Sequence, residues 1–305
     1  MTVPPPELGA LDPDAPPPFG RNSVVRAAVA EPVTALLVQR ALVMEVAHPK
    51  VAAAVAHHSH FQRRPLIRAW ATVDTALRLV FGDEQTARGA VRQIYGVHDH
   101  IHGLLENSTA PRPEGEDDDR DRVYTAHDAS LLAWVWATLV DTTELAYTRW
   151  VRPFEAAEAD TFYGEMRSFG RFLGIPDDLL PTDRTAFARY LEEMLCGDVL
   201  GTTDESRSVA RQVLWFDHRI VPSPLVRIER VLALATLDPR VLDRLEIRPD
   251  RGDAELGRRL DGWLRAYYGR LPRPPRVTPS LYVLLRRPSI GVAGRARAVL
   301  AQVWP

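Results

Sequence analysis

Three histidines fall within five residues of the chain, in the segment VHDHIHG at positions 97–103. The apolar spacing predicts a helix over about 83–103, on which His98 and His102 lie one turn apart on the same side. Two imidazoles at this spacing can bind one zinc ion, but the segment lacks the glutamate that usually accompanies them in hydrolytic zinc helices. A hydrogen-bonded histidine of the core is the alternative interpretation.

The preceding predicted helix, over about 65–81, carries Arg68 and Thr72 one turn apart on one side. Their neighbours on this helix are apolar: Leu66, Ile67, Trp70, Ala71 and Val73. A buried guanidinium needs an anion or a dense set of acceptors. A structural ion pair with Glu45 or Asp74 would provide one. A haem would also do so, because its propionates suit an arginine and its iron suits one imidazole.

The single cysteine, Cys196, excludes an internal disulfide and a cysteine zinc cluster. Its surroundings lack the phenylalanine- and glycine-rich loop of a thiolate-ligated haem, so we expect a small buried hydrophobe rather than a ligand. No Gly-x-Ser-x-Gly turn is present, and the glycines of the chain do not form a phosphate-binding loop after a strand.

Helical periodicity dominates the 305 residues, and no run shows the alternation of a half-buried strand. The fold class predicted is therefore all-α. We expect a disordered proline-rich arm over residues 1–19 and one multi-helix domain over residues 20–305, with a solvated acidic loop at 107–122. The other predicted helices cover 22–47 (broken near Pro32), 49–57, 128–150, 153–173, 185–195, 225–236, 254–268 and a tail from 289.

Composition excludes several classes of protein. The chain is 46% hydrophobic, which is too much for a wholly disordered chain, and its formal net charge of -2 argues against a nucleic-acid partner. No run approaches the roughly 20 apolar residues of a membrane span. The N-terminal sequence does not resemble a secretion signal, so the expected localisation is cytoplasmic.

Several short motifs follow one another in an order that resembles a known family. They are AHP at 47–49, the stretch from Arg68 to Thr72 followed by VFGD at 80–83, the histidine segment at 97–103, and YTAHD at 124–128. Over roughly residues 20–270 the chain is similar to the DUF2236 family, the catalytic domain of MpaB-type oxygenases and of rubber oxygenase (latex clearing protein). The resemblance implies an all-α domain that binds haem b and oxidises hydrophobic substrates, in known members by cleaving isoprenoid double bonds with dioxygen.

The resemblance also implies roles for individual residues. His98 matches the axial iron ligand, and Arg68 and Thr72 match the opposite side of the haem, where they would hydrogen-bond activated oxygen or a propionate. Glu45 would act as a base or pair with Arg68, and His48 would bind a propionate or cap a helix end. Rubber-cleaving members have a lysine where this chain has Ala71, and Lys50 is its only lysine.

The function predicted is thus that of a haem b-dependent oxygenase, with the haem held between the two helices that bear Arg68 and His98. Its partners would be dioxygen and a small hydrophobic, isoprenoid-like substrate, and the sequence identifies no redox partner. The alternatives are a helical haem- or ligand-binding protein without turnover and a protein with a histidine-ligated zinc ion.

Overall fold

A computed structural model describes the chain in several stretches, which are residues 18–20, 22–58, 74–105, 123–201, 203–215 and 223–272. Helices make up most of these stretches, which also contain one small antiparallel sheet of two strands. The prediction of a single all-α domain is confirmed. The acidic loop at 107–122, nearly all of the proline-rich arm and the tail helix from 289 lie outside the described residues.

The N-terminal helices are α1 (Val24–Ala30), a 3₁₀ helix (Pro32–Leu37), α2 (Val38–Ala47) and α3 (Pro49–His58). The predicted break at Pro32 is confirmed, since this proline begins a new helical turn. Within the described residues, no single helix is long and apolar enough to cross a membrane. The segments Val24–Ala30 and Pro32–Ala47, bent by 76° between them, meet the length and composition criteria as a pair.

The middle of the chain contains α4 (described over residues 74–81), α5 (Glu84–His98), β1 (His102–Leu104) and β2 (Val123–Thr125). The predicted helix over 83–103 is therefore too long by five residues at its C-terminal end. It ends at His98 because the backbone N–H of Ile101 bonds the His98 carbonyl across a tight turn, at 2.9 Å. The chain then leaves as β1, whose partner β2 is remote in sequence.

Helix α6 (Ala129–Trp150) is the central element, as its nearly uniform apolar character predicts. The Asp128 carboxylate caps it by accepting the Ser130 N–H at 2.9 Å, at the start of the helix predicted over 128–150. One side of α6 packs through Trp136 against a core shared with α5 and the following helix, α7 (Ala156–Phe172). The other side packs through Trp134 against a core shared with α2.

The remaining helices are α8 (Arg184–Cys196), α9 (Asp204–Leu214), α10 (Ser223–Thr236), α11 (Pro239–Arg244) and α12 (Arg251–Tyr267). Short 3₁₀ turns lie at Asp177–Leu179 and Tyr268–Arg270. The helices predicted from the sequence did not include α9 or α11. Six residues are too few for α11 to show a helical period, whereas the eleven residues of α9 do show one that was missed. Both complete the core around α2 and α10, in which Val209, Val213 and Val241 are buried.

Helix α12 approaches α10 closely at Gly257. A Cβ atom at this position would lie 2.6 Å from the Val231 carbonyl oxygen and 3.3 Å from the Ala235 side chain. We expect Gly257→Ala to lower the free energy of unfolding by about 1–3 kcal/mol, because α12 would have to move away from α10. Gly262→Ala on the same helix meets open space, so it should leave stability unchanged or raise it by up to about 1 kcal/mol.

Denaturant unfolding of the two variants measures both effects. Equal stabilities for Gly257→Ala and Gly262→Ala would contradict the close approach of the two helices.

Candidate functional site

The candidate site lies where the C-terminal end of α5, the β1–β2 hairpin and the N-terminal end of α6 meet. The strands pair in antiparallel register, with His102 opposite Thr125. The Ala126 N–H extends this pairing by donating to the Ile101 carbonyl at 2.9 Å. These bonds hold the turn before Asp128 against the last turn of α5, which ends in the predicted iron ligand His98.

His98 is braced by a second histidine that sequence reasoning left without a role. Its imidazole is half-buried with Nδ1 shielded from solvent, and the His127 ring meets it edge-on at 6.2 Å between ring centroids. His127 also contacts the Tyr95 ring at 5.7 Å, and its Nε2 lies 2.8 Å from the Asp99 carboxylate. The ring of His127 is therefore fixed from two sides and limits how the His98 ring can turn.

His102 is not placed beside His98 on a helix. It is exposed on β1, and its nearest described ring neighbour is His58 at 6.5 Å. The zinc interpretation required both imidazoles on one helical face, so its geometric basis is lost. Within the described stretches, no group of three or more histidine, cysteine or acidic side chains is arranged to hold a metal ion.

A second cluster of polar rings lies next to the hairpin. His57 and His58 form the last turn of α3, which extends one residue beyond the predicted helix over 49–57. The buried Tyr124 hydroxyl lies 3.0 Å from His57 Nδ1 and 3.2 Å from His58 Nε2. Because the hydroxyl has one proton, it donates to one imidazole and accepts from the other. Gly103 makes room for Tyr124, since a Cβ there would lie 2.6 Å from the phenolic oxygen.

His48 joins two helices at their ends. Its backbone N–H donates to the Glu45 carbonyl at the end of α2, and its Nδ1 accepts the Lys50 N–H at 3.2 Å in the first turn of α3. Burial lowers the pKa of His48 from 6.5 to about 4, helped by the Lys50 charge and opposed by the nearby Asp128 carboxylate. At neutral pH the imidazole is uncharged, and its remaining proton is on Nε2.

This pKa predicts an acid-sensitive contribution to stability. The unfolded chain takes up a proton at His48 between pH 6.5 and about 4 while the folded protein does not, so stability falls as the pH falls through this interval. His48→Asn keeps an acceptor for the Lys50 N–H but cannot titrate. The variant should therefore lose up to about 2–3 kcal/mol less stability than the parent between pH 7 and 4, measured by urea unfolding. Parallel pH profiles would contradict the assignment.

Glu45 lies one turn before His48, near the C-terminal end of α2. A tryptophan of α6 forms hydrogen bonds with the backbone there. The Trp134 indole N–H donates to the Met44 carbonyl at 3.1 Å and to the Glu45 carbonyl at 3.3 Å. These bonds fix the backbone of Glu45, the candidate base, to α6. The Glu45 side chain is half-buried.

Arg68, Thr72 and Ala71 lie outside the described residues, so their position relative to His98 stays a prediction. A different buried guanidinium, which sequence reasoning missed, has a structural role. Arg40 is 5% exposed and pairs with the Asp141 carboxylate at 2.6 Å, and it also donates to the Thr142 hydroxyl. The apolar residues that follow Arg40 on α2, from Ala41 to Met44, are the signal that could have identified it.

Cys196 is exposed, which corrects the expectation of a buried hydrophobe. It ends α8, where its thiol donates to the Glu192 carboxylate at 3.1 Å. This hydrogen bond raises the pKa of the thiol. A protonated surface thiol is unsuited to thiolate ligation of iron, in agreement with the interpretation of Cys196 as a non-ligand.

Comparison with known proteins identifies the family of the chain. Residues 26–266 match the family described as ER-bound oxygenase mpaB/B′/Rubber oxygenase, catalytic domain, and the chain belongs to this oxygenase family. Uncharacterised proteins of Mycobacterium bovis and Mycobacterium tuberculosis are each 37% identical to it over 78 residues, which are 24% of this chain. The match spans only 29% of the length of each relative. No solved structure matches the chain.

Proposed function

We propose that the protein is a haem b-dependent oxygenase that acts on a small hydrophobic substrate with dioxygen, and that the His98 imidazole would hold the haem iron. The observation that carries this proposal is the setting of His98 at the end of α5, where the edge of the His127 ring braces its imidazole. Membership of an oxygenase family supports the reaction class.

The donor set fits haem better than it fits a zinc ion. A haem iron already has four nitrogen ligands, so it needs one protein imidazole, whereas zinc needs three or four protein ligands. His98 offers one imidazole that is shielded from solvent. In the described part of the chain, no three histidine, cysteine or acidic side chains are arranged to hold a zinc ion there. When bound, haem supplies the redox-active iron that activates dioxygen.

The neighbouring residues have roles that follow from their protons and charges. His48 Nε2–H is a neutral donor, and it would bond an anionic propionate without adding a buried charge. Arg68 would neutralise a propionate or, with Thr72, hydrogen-bond negative charge on activated oxygen. Glu45, on a backbone fixed by Trp134, would accept a proton from the substrate.

The visible spectrum of the full chain, purified after expression with a haem supply, tests the proposal. We expect a Soret band, about one haem per chain and a pyridine spectrum typical of haem b. A colourless protein that stays colourless after reconstitution would overturn the proposal. Oxygen consumption with isoprenoid-like substrates then separates an oxygenase from a haem-binding protein without turnover.

The contacts of His127 with His98 and Asp99 give a further prediction. Asp99→Asn keeps the size of the side chain but weakens the charge-assisted bond to His127, and His127→Ala removes the ring that contacts His98. We expect both variants to retain haem with a shifted Soret band and about 10–100-fold weaker binding. His100→Ala, an exposed neighbour in the same turn, is the matched control. Unchanged spectra and affinity in both variants would contradict the positioning role.

A further inference from the structure

Three donor atoms converge where the end of α3 meets β2. The phenolic oxygen of Tyr124 lies 3.0 Å from Nδ1 of His57 and 3.2 Å from Nε2 of His58. The two histidines are consecutive in the last turn of α3, where neighbouring side chains point about 100° apart. Both rings nevertheless reach one oxygen atom, through different ring nitrogens. We call Tyr124, His57 and His58 the α3–β2 cluster.

The distances within the α3–β2 cluster fit the ligands of one metal ion. Nitrogen and oxygen ligands bind transition metals at about 2.0–2.1 Å, so adjacent ligands are roughly 2.9 Å apart in a square-planar site and roughly 3.3 Å apart in a tetrahedral site. The observed 3.0 and 3.2 Å lie between these two values. The three donors can therefore bind one ion with small movements of the rings.

The cluster is fixed on one side and open on the other. Tyr124 is 1% exposed, and its hydroxyl occupies space that a side chain at Gly103 would fill, since a Cβ atom there would lie 2.6 Å from the phenolic oxygen. His57 and His58 are exposed, so an ion can enter from solvent. Three protein ligands on one side leave a position for water on the other, as in metal sites with an open position.

The chemistry of the donors selects the class of ion. Imidazole favours Cu²⁺, Ni²⁺ and Zn²⁺ over Mg²⁺ and Ca²⁺, and Cu²⁺ has the highest affinity of the first-row divalent ions. We propose that the α3–β2 cluster binds a divalent transition-metal ion, Cu²⁺ most tightly, through two imidazoles and the Tyr124 phenolate. This site differs from the zinc site considered for His98 and His102, because its third ligand is a phenolate. The inference goes beyond the proposed oxygenase and does not depend on haem binding.

Calorimetric titration of the metal-free full chain with Cu²⁺ tests the proposal. Glycine in the buffer competes for copper and suppresses weak binding to isolated surface histidines. We expect binding at this site to release about one phenolic proton, measured by titration in two buffers with different heats of ionisation. The electron paramagnetic resonance spectrum of the bound copper should show splitting from two imidazole nitrogens. Mg²⁺ should give no binding heat, because it prefers oxygen ligands.

Variants separate metal ligation from a purely structural hydrogen bond. His57→Gln and His58→Gln each keep an amide that can hydrogen-bond the Tyr124 hydroxyl but remove one imidazole ligand, so each should lower Cu²⁺ affinity at least about hundredfold. Tyr124→Phe should lower it at least about tenfold and release about one proton fewer on binding. His100→Ala, an exposed histidine outside the cluster, is the matched control. Circular dichroism verifies that each variant is folded.

Several results would overturn the proposal. A folded parent that binds no copper in glycine buffer has no such site. Unchanged affinity in His57→Gln and His58→Gln would show that the cluster is only a hydrogen-bonded link between α3 and β2. Equal proton release by the parent and Tyr124→Phe would exclude the phenolate as a ligand. Loss of copper in His100→Ala, with normal binding in the cluster variants, would place the ion in the histidine segment at 97–103 instead.

Discussion

His98→Ala should yield a folded protein without the native haem spectrum, whereas His102→Ala should keep that spectrum. His98 ends α5 with a shielded Nδ1 beside His127, and its loss would leave the iron without its protein ligand. His102 is exposed on β1 and has no such role. We expect at least a hundredfold loss of haem affinity for His98→Ala, measured by haem titration at the Soret band.

A rescue experiment makes this prediction specific to the imidazole. Haem-loaded His98→Gly should recover a spectrum close to that of the parent when free imidazole is added, since the ligand can enter the space that the side chain leaves. Normal haem content and spectrum in His98→Ala would contradict the axial assignment. Loss of a stoichiometric metal in both His98→Ala and His102→Ala would restore the zinc interpretation.

Trp134→Ala should be among the most destabilising substitutions in the chain. The side chain is 1% exposed, fills the core between α6 and α2, and donates its indole N–H to the Met44 carbonyl. We expect it to lower the free energy of unfolding by about 3–5 kcal/mol, through lost burial and the cavity that remains. Guanidinium unfolding followed by circular dichroism measures the loss.

Two further variants divide this effect between packing and hydrogen bonding. Trp134→Phe keeps most of the packing but leaves the Met44 carbonyl without its indole donor, which should cost about 1–3 kcal/mol. Trp263→Ala removes an exposed tryptophan and should change stability by no more than about 0.5 kcal/mol. Similar losses for Trp134→Ala and Trp263→Ala would contradict the central position of Trp134.

The helix boundaries that could be predicted were those with a local chemical cause. Asp128 begins α6 because its carboxylate accepts an N–H two residues later, and Pro32 interrupts the first helical run because it lacks a backbone donor. Gly174, which follows α7, has the positive φ of 84° that glycine adopts readily after a helix. In each case the interacting atoms are a few residues apart, so the sequence alone contains the signal.

The end of α5 could not be predicted in this way. The apolar stripe continues beyond His98, but the chain turns there and pairs as β1 with β2, a strand that begins 19 residues after β1 ends. Strands of three residues are too short to show a recognisable alternation. The turn after His98 is therefore stabilised by the pairing of β1 with β2. The local sequence around α5 contains no pattern that identifies this partner strand.

The sequence by itself determined the all-α class, the motifs that resemble the oxygenase family and the choice of His98 as a candidate ligand. Only the tertiary structure showed that His127 and Asp99 brace the His98 region, and that Tyr124 bonds two histidines at the end of α3. Helix class and motif order are encoded in neighbouring residues. The brace and the Tyr124 cluster join side chains 28 to 67 residues apart, and such contacts exist only after the helices have packed around α6.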